Sequence, residues 1–179
     1  EKAAWDFINS DECNMELSVI NPSLVLGPVL ESDFGTSVEL VKRFLNGGFP
    51  LAPNISFGIV DVRDVAQLHL LALESPQASG NRFIASSETL AIPLISEFLR
   101  KKIPEYQKRL PKGTAPDFLI KLLGFFSPLM KTVANQLGKT KELDNSKAKN
   151  ILGWQPRSGE EAVIASAKSL IEFDIVKSP

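Results

Sequence analysis

The sequence predicts an α/β protein, and three observations carry the prediction. Stretches with strand character alternate with stretches of helical period through the first part of the chain, the pattern of strands linked by crossover helices. The segment 17–21 is apolar enough to be buried on both faces, which suits a strand inside a parallel sheet. With 179 residues and 44% hydrophobic content, the chain is long enough to bury a core of ordinary size.

The elements follow in order. The chain opens on "EKAAWDFINS", a helix with Ala3, Ala4, Phe7 and Ile8 on related faces, ending near 9–11. A helix that starts at Glu1 without a start signal reads as the interior of a longer sequence. In "VINPSLVLGP" the strand 17–21 stops before Pro22, because proline cannot donate to a sheet ladder, and the chain then crosses the mouth of a site. After the loop "LESDFGTS", a helix over 37–46 is closed by Gly47-Gly48. The segment 56–62, "SFGIVDV", reads as a second strand, and Asp64 then caps the helix "DVAQLHLLALES". Pro76 and Gly80 end that unit, and "NRFIAS" reads as a third strand. Pro93 fits the first turn of a helix running to Lys102. Beyond Lys112 the pattern turns helical: 116–137 is apolar and broken by Gly124 and Pro128, and its stripe over 118–130 reads as core or lid. A short polar strand is expected at 140–144, and Asn145 caps "SKAKNIL", which Gly153 terminates. Trp154 packs this small helix onto the body, and Ser158 with Glu161 forms a capping box for a last helix over 159–175.

Composition excludes several classes of function. A net charge of −1 and a pI near 5.9 give no electrostatic case for nucleic acid or an anionic membrane. The single cysteine, Cys13, excludes an internal disulfide and fits a reducing, cytoplasmic compartment. One Cys and one His supply too few soft ligands for a metal site. The apolar stretch 118–130, interrupted by Lys121 and Pro128, is too short to span a bilayer.

The chemistry-bearing motifs are missing. No two glycines stand at i and i+2, so the Gly-x-Gly-x-x-Gly dinucleotide loop is absent, as are a P-loop and a Gly-x-Ser-x-Gly elbow. Tyr106, the only tyrosine, is followed four residues later by Leu110, so there is no Tyr-x-x-x-Lys pair. No catalytic set is expected within the chain. His69 lies among core residues of its helix and reads as a packing residue. Asp61 and Arg63 read as a surface pair, or as groups that touch a substrate, and Cys13 as incidental.

Taken together, "EKAAWDF", "LSVINPSLVLGPVL", "FGIVDVRDVAQLHLLALES" and "LGWQPRSGEEAV", in this order and spacing, resemble the C-terminal half of an extended short-chain dehydrogenase/reductase, of the dihydroflavonol reductase and aldehyde reductase branch. The resemblance covers nearly the whole chain. It implies the C-terminal part of a Rossmann-type fold with a small, mostly helical substrate-binding lobe, residues 1–179 forming one portion of an enzyme whose nucleotide-binding half and catalytic Tyr and Lys lie outside them. The activity implied is reduction of a small ketone or aldehyde with NADP or NAD. Matching positions place Pro22, Ser23, Leu24, Val25 and Ser37 at the nicotinamide, and Phe34, Ser56 and Phe57 at the substrate. Two alternatives stay open, a non-catalytic binding or interaction fragment and a nucleotide-sugar epimerase or dehydratase. The scattered Arg63, Arg82, Arg100 and Arg109 speak against the last. Monomer and homodimer are both open, and an isolated chain is expected to aggregate, to self-associate through the unpaired edge of strand 17–21, or to need its other half.

Overall fold

The computed structural model describes residues 1–10 and 13–179. The first helix, α1 (Lys2–Ile8), buries none of its residues, and its expected end at Asp11 lies outside the described residues. Strand β1 (Val19–Pro22) pairs in parallel with β4 (Arg82–Ala85), setting Ile20 against Phe83 and Pro22 against Ala85. Only one residue, Ser23, separates β1 from β2 (Leu24–Leu26), which belongs to a second sheet. There β2 runs parallel to β3 (Ser56–Asp61), and β3 pairs antiparallel with β5 (Glu88–Ala91). The strand expected at 17–21 is β1, ending one residue later at Pro22, and the segment expected to leave the sheet after it forms β2 of a second sheet. Both β2 and β5 escape sequence inspection: β2 follows Pro22 in a stretch that reads as leaving the sheet, and β5 runs without a break into the helix that Pro93 opens.

Each sheet has its own core. The larger gathers α2 (Thr36–Leu45), α4 (Ile92–Lys102) and α8 (Gly159–Glu172) against β2, β3 and β5, with Val41, Phe44, Leu45, Ile59, Ile95 and Leu99 fully buried. The smaller packs α3 (Val62–Glu74) and α7 (Ser146–Leu152) around β1 and β4, with Leu68, Phe83, Ala148 and Trp154 at its centre. Two further helices, α5 (Asp117–Leu123) and α6 (Pro128–Ala134), form a hairpin on the larger body.

Capping differs from expectation at two places. Asp61, not Asp64, caps α3: its Oδ1 accepts from the Arg63 N–H at 2.9 Å. Asn145 precedes α7 without a side-chain cap; its amide donates to the Ser86 carbonyl at 2.6 Å, while Asp144 Oδ1 accepts from the Ser146 N–H at 2.8 Å. That N–H holds the Asp144 carboxyl below its ordinary range. Residues 140–144 do not form the expected strand; their backbone is held by Thr89, whose hydroxyl donates to the Lys141 carbonyl. Gly153 closes α7 at φ +63°, and Ser158 Oγ accepts from the Glu161 N–H at the start of α8, which ends at Glu172. Most side chains described in the stripe 118–130 are not core. Ile120 is its buried anchor, while Phe118, Leu122, Phe125 and Phe126 face solvent.

Candidate functional site

The site is built where the chain changes sheets. Pro22 is the last residue of β1, and β1 has β4 as its one described neighbour, so the proline sits at a strand end on an edge strand, the places a sheet tolerates it. Ser23 turns the chain. Its N–H and its hydroxyl both donate to the Ala85 carbonyl, at 2.9 and 3.3 Å. Leu24–Leu26 then joins β3, and β2 is an edge of its sheet. The stretch thus carries open backbone edges at the carboxyl end of a parallel pair, where α/β sheets place their ligands.

Beyond β2 the chain is held tightly. Gly27 has φ +115°, and a side chain there would meet Asp61 Oδ1 at 2.9 Å. Glycine is required on both counts. Two serines of α8 fix the same turn: Ser166 Oγ accepts from the Gly27 N–H and donates to the Gly27 carbonyl, both at 2.8 Å, and Ser169 Oγ accepts from the Val29 N–H at 2.9 Å. All are buried, so the backbone groups of this turn are satisfied without water.

Against this turn lies a cleft of about 520 Å³, lined by Val25 to Leu30, Phe34, Ser37, Val38, Val62, Arg63 and Ala66, with Glu31 and Asp33 at its rim. The volume falls in the range of small-molecule sites. Arg63 is its one cation among the described residues. Asp61, fully buried, grips the guanidinium with two hydrogen bonds, from Nε to Oδ1 at 2.8 Å and from Nη2 to Oδ2 at 2.7 Å. These bonds push the Arg63 pKa further up, so it is a permanent charge in a fixed orientation. Lys42 stands over the Phe34 ring at 5.3 Å, beside the same loop.

The cleft brings together three expected residues, Val25, Phe34 and Ser37. Pro22, Ser23 and Leu24 lie one step back along the chain, outside its lining. Ser56 and Phe57 stand at the start of β3, opposite Ala91 and Leu90, with Phe57 packed on the larger core. Ser23 has another neighbour. A side chain at Gly58 would meet Leu143 Cδ1 at 2.5 Å, Ser86 Oγ at 2.9 Å and Ser23 Cβ at 3.1 Å, so these three converge on one point. Ser86 Oγ is buried and, among the described residues, has no hydrogen-bond partner.

Other expectations are corrected by placement. His69 is exposed on α3, its Nδ1 2.8 Å from the Val65 carbonyl oxygen, and packs no core. Asp64 is 1% exposed and binds across the fold. Its Oδ2 accepts from the Arg157 N–H at 2.7 Å, its Oδ1 from the Arg157 guanidinium, and its carbonyl from the Trp154 indole at 2.9 Å. Sequence reasoning passed over Ser166 and Ser169, which stand three apart and so on one face of α8. That spacing is the signal, but two serines in a helix carry no direction without the loop they meet. Among the described residues no cluster of His, Cys, Asp and Glu could hold a metal, and no helix is long and apolar enough to cross a membrane.

No protein-family model matches the chain. Curated proteins do. The chain is 30% identical over 182 residues to the NADPH-dependent methylglyoxal reductase GRE2 of Saccharomyces cerevisiae, covering 97% of this chain and 49% of that protein. It is 34% identical over 183 residues to the ketoreductase azaE of Aspergillus niger, covering 96% of this chain and 48% of that one. Among solved structures, yeast methylglyoxal/isovaleraldehyde reductase Gre2 complexed with NADPH superimposes with a TM-score of 0.74 at 28% identity, over 97% of this chain and 48% of that one. The chain thus spans about half the length of the relatives it matches.

Proposed function

Because this chain belongs to the extended short-chain dehydrogenase/reductase family, we propose that it forms the substrate side of an NAD(P)-dependent carbonyl reductase. The observation that carries the proposal is the sheet-to-sheet step at Pro22–Val25, which opens directly onto an apolar cleft with one fixed cation. On this reading β1, β4, α3 and α7 are the last part of a nucleotide-binding sheet whose other strands and glycine loop come from outside residues 1–179. The larger core is the substrate lobe. The open edge of β1 supports this division, since an edge strand with buried-type side chains is normally covered.

The residues fit the nicotinamide end of the cofactor. Ser86 Oγ, buried beside the strand ends and without a partner among the described residues, is the kind of polar group a ligand amide or a bound water satisfies. Pro22, Ser23, Leu24 and Val25 would hold the carboxamide and ribose, with Ser37 near the same end. When bound, the nicotinamide supplies a hydride to the carbonyl carbon. Val25, Leu26, Val29, Phe34 and Val38 wall the cleft, exclude water and take up the apolar part of the substrate, with Ser56 and Phe57 farther along the same lobe. Arg63, braced by Asp61, orients an acceptor oxygen. The proton for the product hydroxyl comes from the Tyr and Lys of the other half, since this chain holds no such pair. A small apolar or aromatic aldehyde or ketone suits such walls. NADPH is favoured over NADH because the relative and the solved neighbour are named for it, and a cytoplasmic setting agrees with the lone cysteine.

The test is carbonyl-dependent oxidation of NADPH and NADH by the native protein from its source, with a panel of short aliphatic and aromatic aldehydes and ketones. Arg63→Ala is expected to raise KM on the order of tenfold, the loss of one charge-assisted hydrogen bond. Native protein that oxidises neither cofactor with any member of the panel would overturn the reading in favour of a binding module.

A further inference from the structure

The hairpin of α5 and α6 has no role in the cleft, yet it carries the most exposed aromatic surface of the described residues. Phe125 is 85% exposed and Phe126 83%, side by side at the apex, with Phe118 at 72% and Leu122 at 52% behind them. Phe118 and Leu122 stand four apart on α5 and so share one face, and the turn after Leu123 carries Phe125 and Phe126. Gly124 lets the two helices approach there: a side chain on it would meet the Lys121 carbonyl oxygen at 3.1 Å and Lys131 Cα at 3.3 Å. Lys121 and Lys131 both line a groove of about 740 Å³ that also takes in Phe125, Phe126 and Pro128, and no carboxylate of the described residues lines it. Neither lysine has an ion-pair partner among the described residues.

We propose that this hairpin docks the protein on an anionic membrane surface, the two phenylalanines entering the headgroup–acyl boundary and Lys121 and Lys131 pairing with lipid phosphate and carboxylate groups. An aromatic apex flanked by lysines is the chemistry of an interfacial anchor. The whole-chain charge of −1 conceals a local excess, for residues 116–141 hold four lysines and one aspartate. A basic rim of this kind is attracted to anionic lipid over a Debye length or so. The helices are too short to span a bilayer, so the contact is peripheral and reversible.

The experiment is co-sedimentation of the native protein with phosphatidylcholine vesicles and with vesicles of phosphatidylcholine and phosphatidylserine, over a series of salt concentrations. Binding to the serine-containing vesicles, falling as salt rises, is expected. Phe125→Ser with Phe126→Ser should weaken partition on the order of 100-fold, and Lys121→Gln with Lys131→Gln on the order of tenfold, circular dichroism staying unchanged. The salt series on the unmodified protein decides the matter even if the double phenylalanine variant misfolds. Absence of vesicle binding overturns the proposal. So does vesicle binding that the phenylalanine variant retains, or a salt-independent self-association that the same variant abolishes, which would assign the face to a second copy of the chain. None of these readings depends on reductase activity.

Discussion

The bond between Asp64 and Arg157 offers the sharpest test of how α3 is joined to the segment before α8. Asp64 stands in the first turn of α3 and Arg157 in the loop before α8, ninety-three residues later, and the carboxylate is 1% exposed. Asp64→Ala removes acceptors for one backbone N–H and one guanidinium. An orphaned, half-buried N–H costs about 1–3 kcal/mol, and breaking a buried pair costs about 3–5 kcal/mol when both charges stay dry. Arg157 retains 39% side-chain exposure, so water takes back its charge and the lower part of these ranges applies. The expected loss is about 2–3 kcal/mol, or ~5–10 °C in melting temperature for a chain of this length. Asp64→Asn keeps one acceptor and should lose about half as much. The assay is thermal unfolding followed by circular dichroism, with Arg157→Ala and the double variant completing the cycle. A coupling energy of about 1–2 kcal/mol is expected. Were Asp64 a simple helix cap, its removal would cost ~1 kcal/mol and be indifferent to Arg157. Additive single losses would therefore refute the cross-fold bond.

Three other outcomes follow from the same geometry. Ser166→Ala strips both the donor and the acceptor from Gly27, buried on all sides, and should destabilise by about 2–4 kcal/mol in urea unfolding while leaving helix content intact. A midpoint within error of the parent would show that the turn does not need α8. Gly58→Ala places a methyl 2.5 Å from Leu143 Cδ1, and because Leu143 is on an irregular segment that can yield, the expected result is faster amide exchange confined to 140–144, with a modest stability loss of ~1–3 kcal/mol. Unchanged exchange there would mean the neighbours absorb the methyl elsewhere. Tyr106 is 2% exposed and burial pushes its pKa above the ordinary 10. Its folded pKa being raised, its contribution to stability is complete below pH 10 and is lost as the pH climbs through the folded value. As the only tyrosine, it can be followed by phenolate absorbance, and ionisation at the free-tyrosine pH in the native state would contradict its burial.

The long elements were legible because their period survives in composition. The capping serine of α8, the glycine after α7 and the proline in α4 each satisfy a backbone need that only a few residue types meet. β2 and β5 were not legible: unlike the equally short β1 and β4, neither is set off by flanking turn signals, β2 following Pro22 after one residue and β5 running directly into α4. Asp64 shows a different limit. Two aspartates flank the start of α3, three residues apart, and local chemistry allows either to cap it. What assigns the cap to Asp61 and frees Asp64 for Arg157 is where α3 begins, a boundary that propensity fixes only to within a turn. The 118–130 stripe failed for a related reason. Helical period reports that one face is apolar, and it is silent on whether the protein itself covers that face.

The sequence pointed to individual lining residues, Val25, Phe34 and Ser37, and to the Asp61–Arg63 pair, without showing how they are held together. "VINPSLVLGP" marks where a chain leaves a sheet; β1 ends at Pro22, one residue later than expected, and the chain then enters a second sheet that the sequence did not announce. What makes the place a cleft comes from elsewhere: Asp61 and Arg63 from the β3–α3 junction, and Ser166 and Ser169 from α8, about 140 residues away along the chain. Those partners explain a feature that looked merely conformational. Gly27 is glycine because its backbone must turn with positive φ against a buried carboxylate, and that carboxylate is there to brace the one cation of the cleft. Replacing Gly27 should therefore disturb Arg63 as well as the turn. The ordering of these residues around a single carboxylate makes the loop, the cation and the first turn of α3 one mechanical unit, so a ligand that engaged Arg63 would also report on the path of the chain that lines the opposite wall.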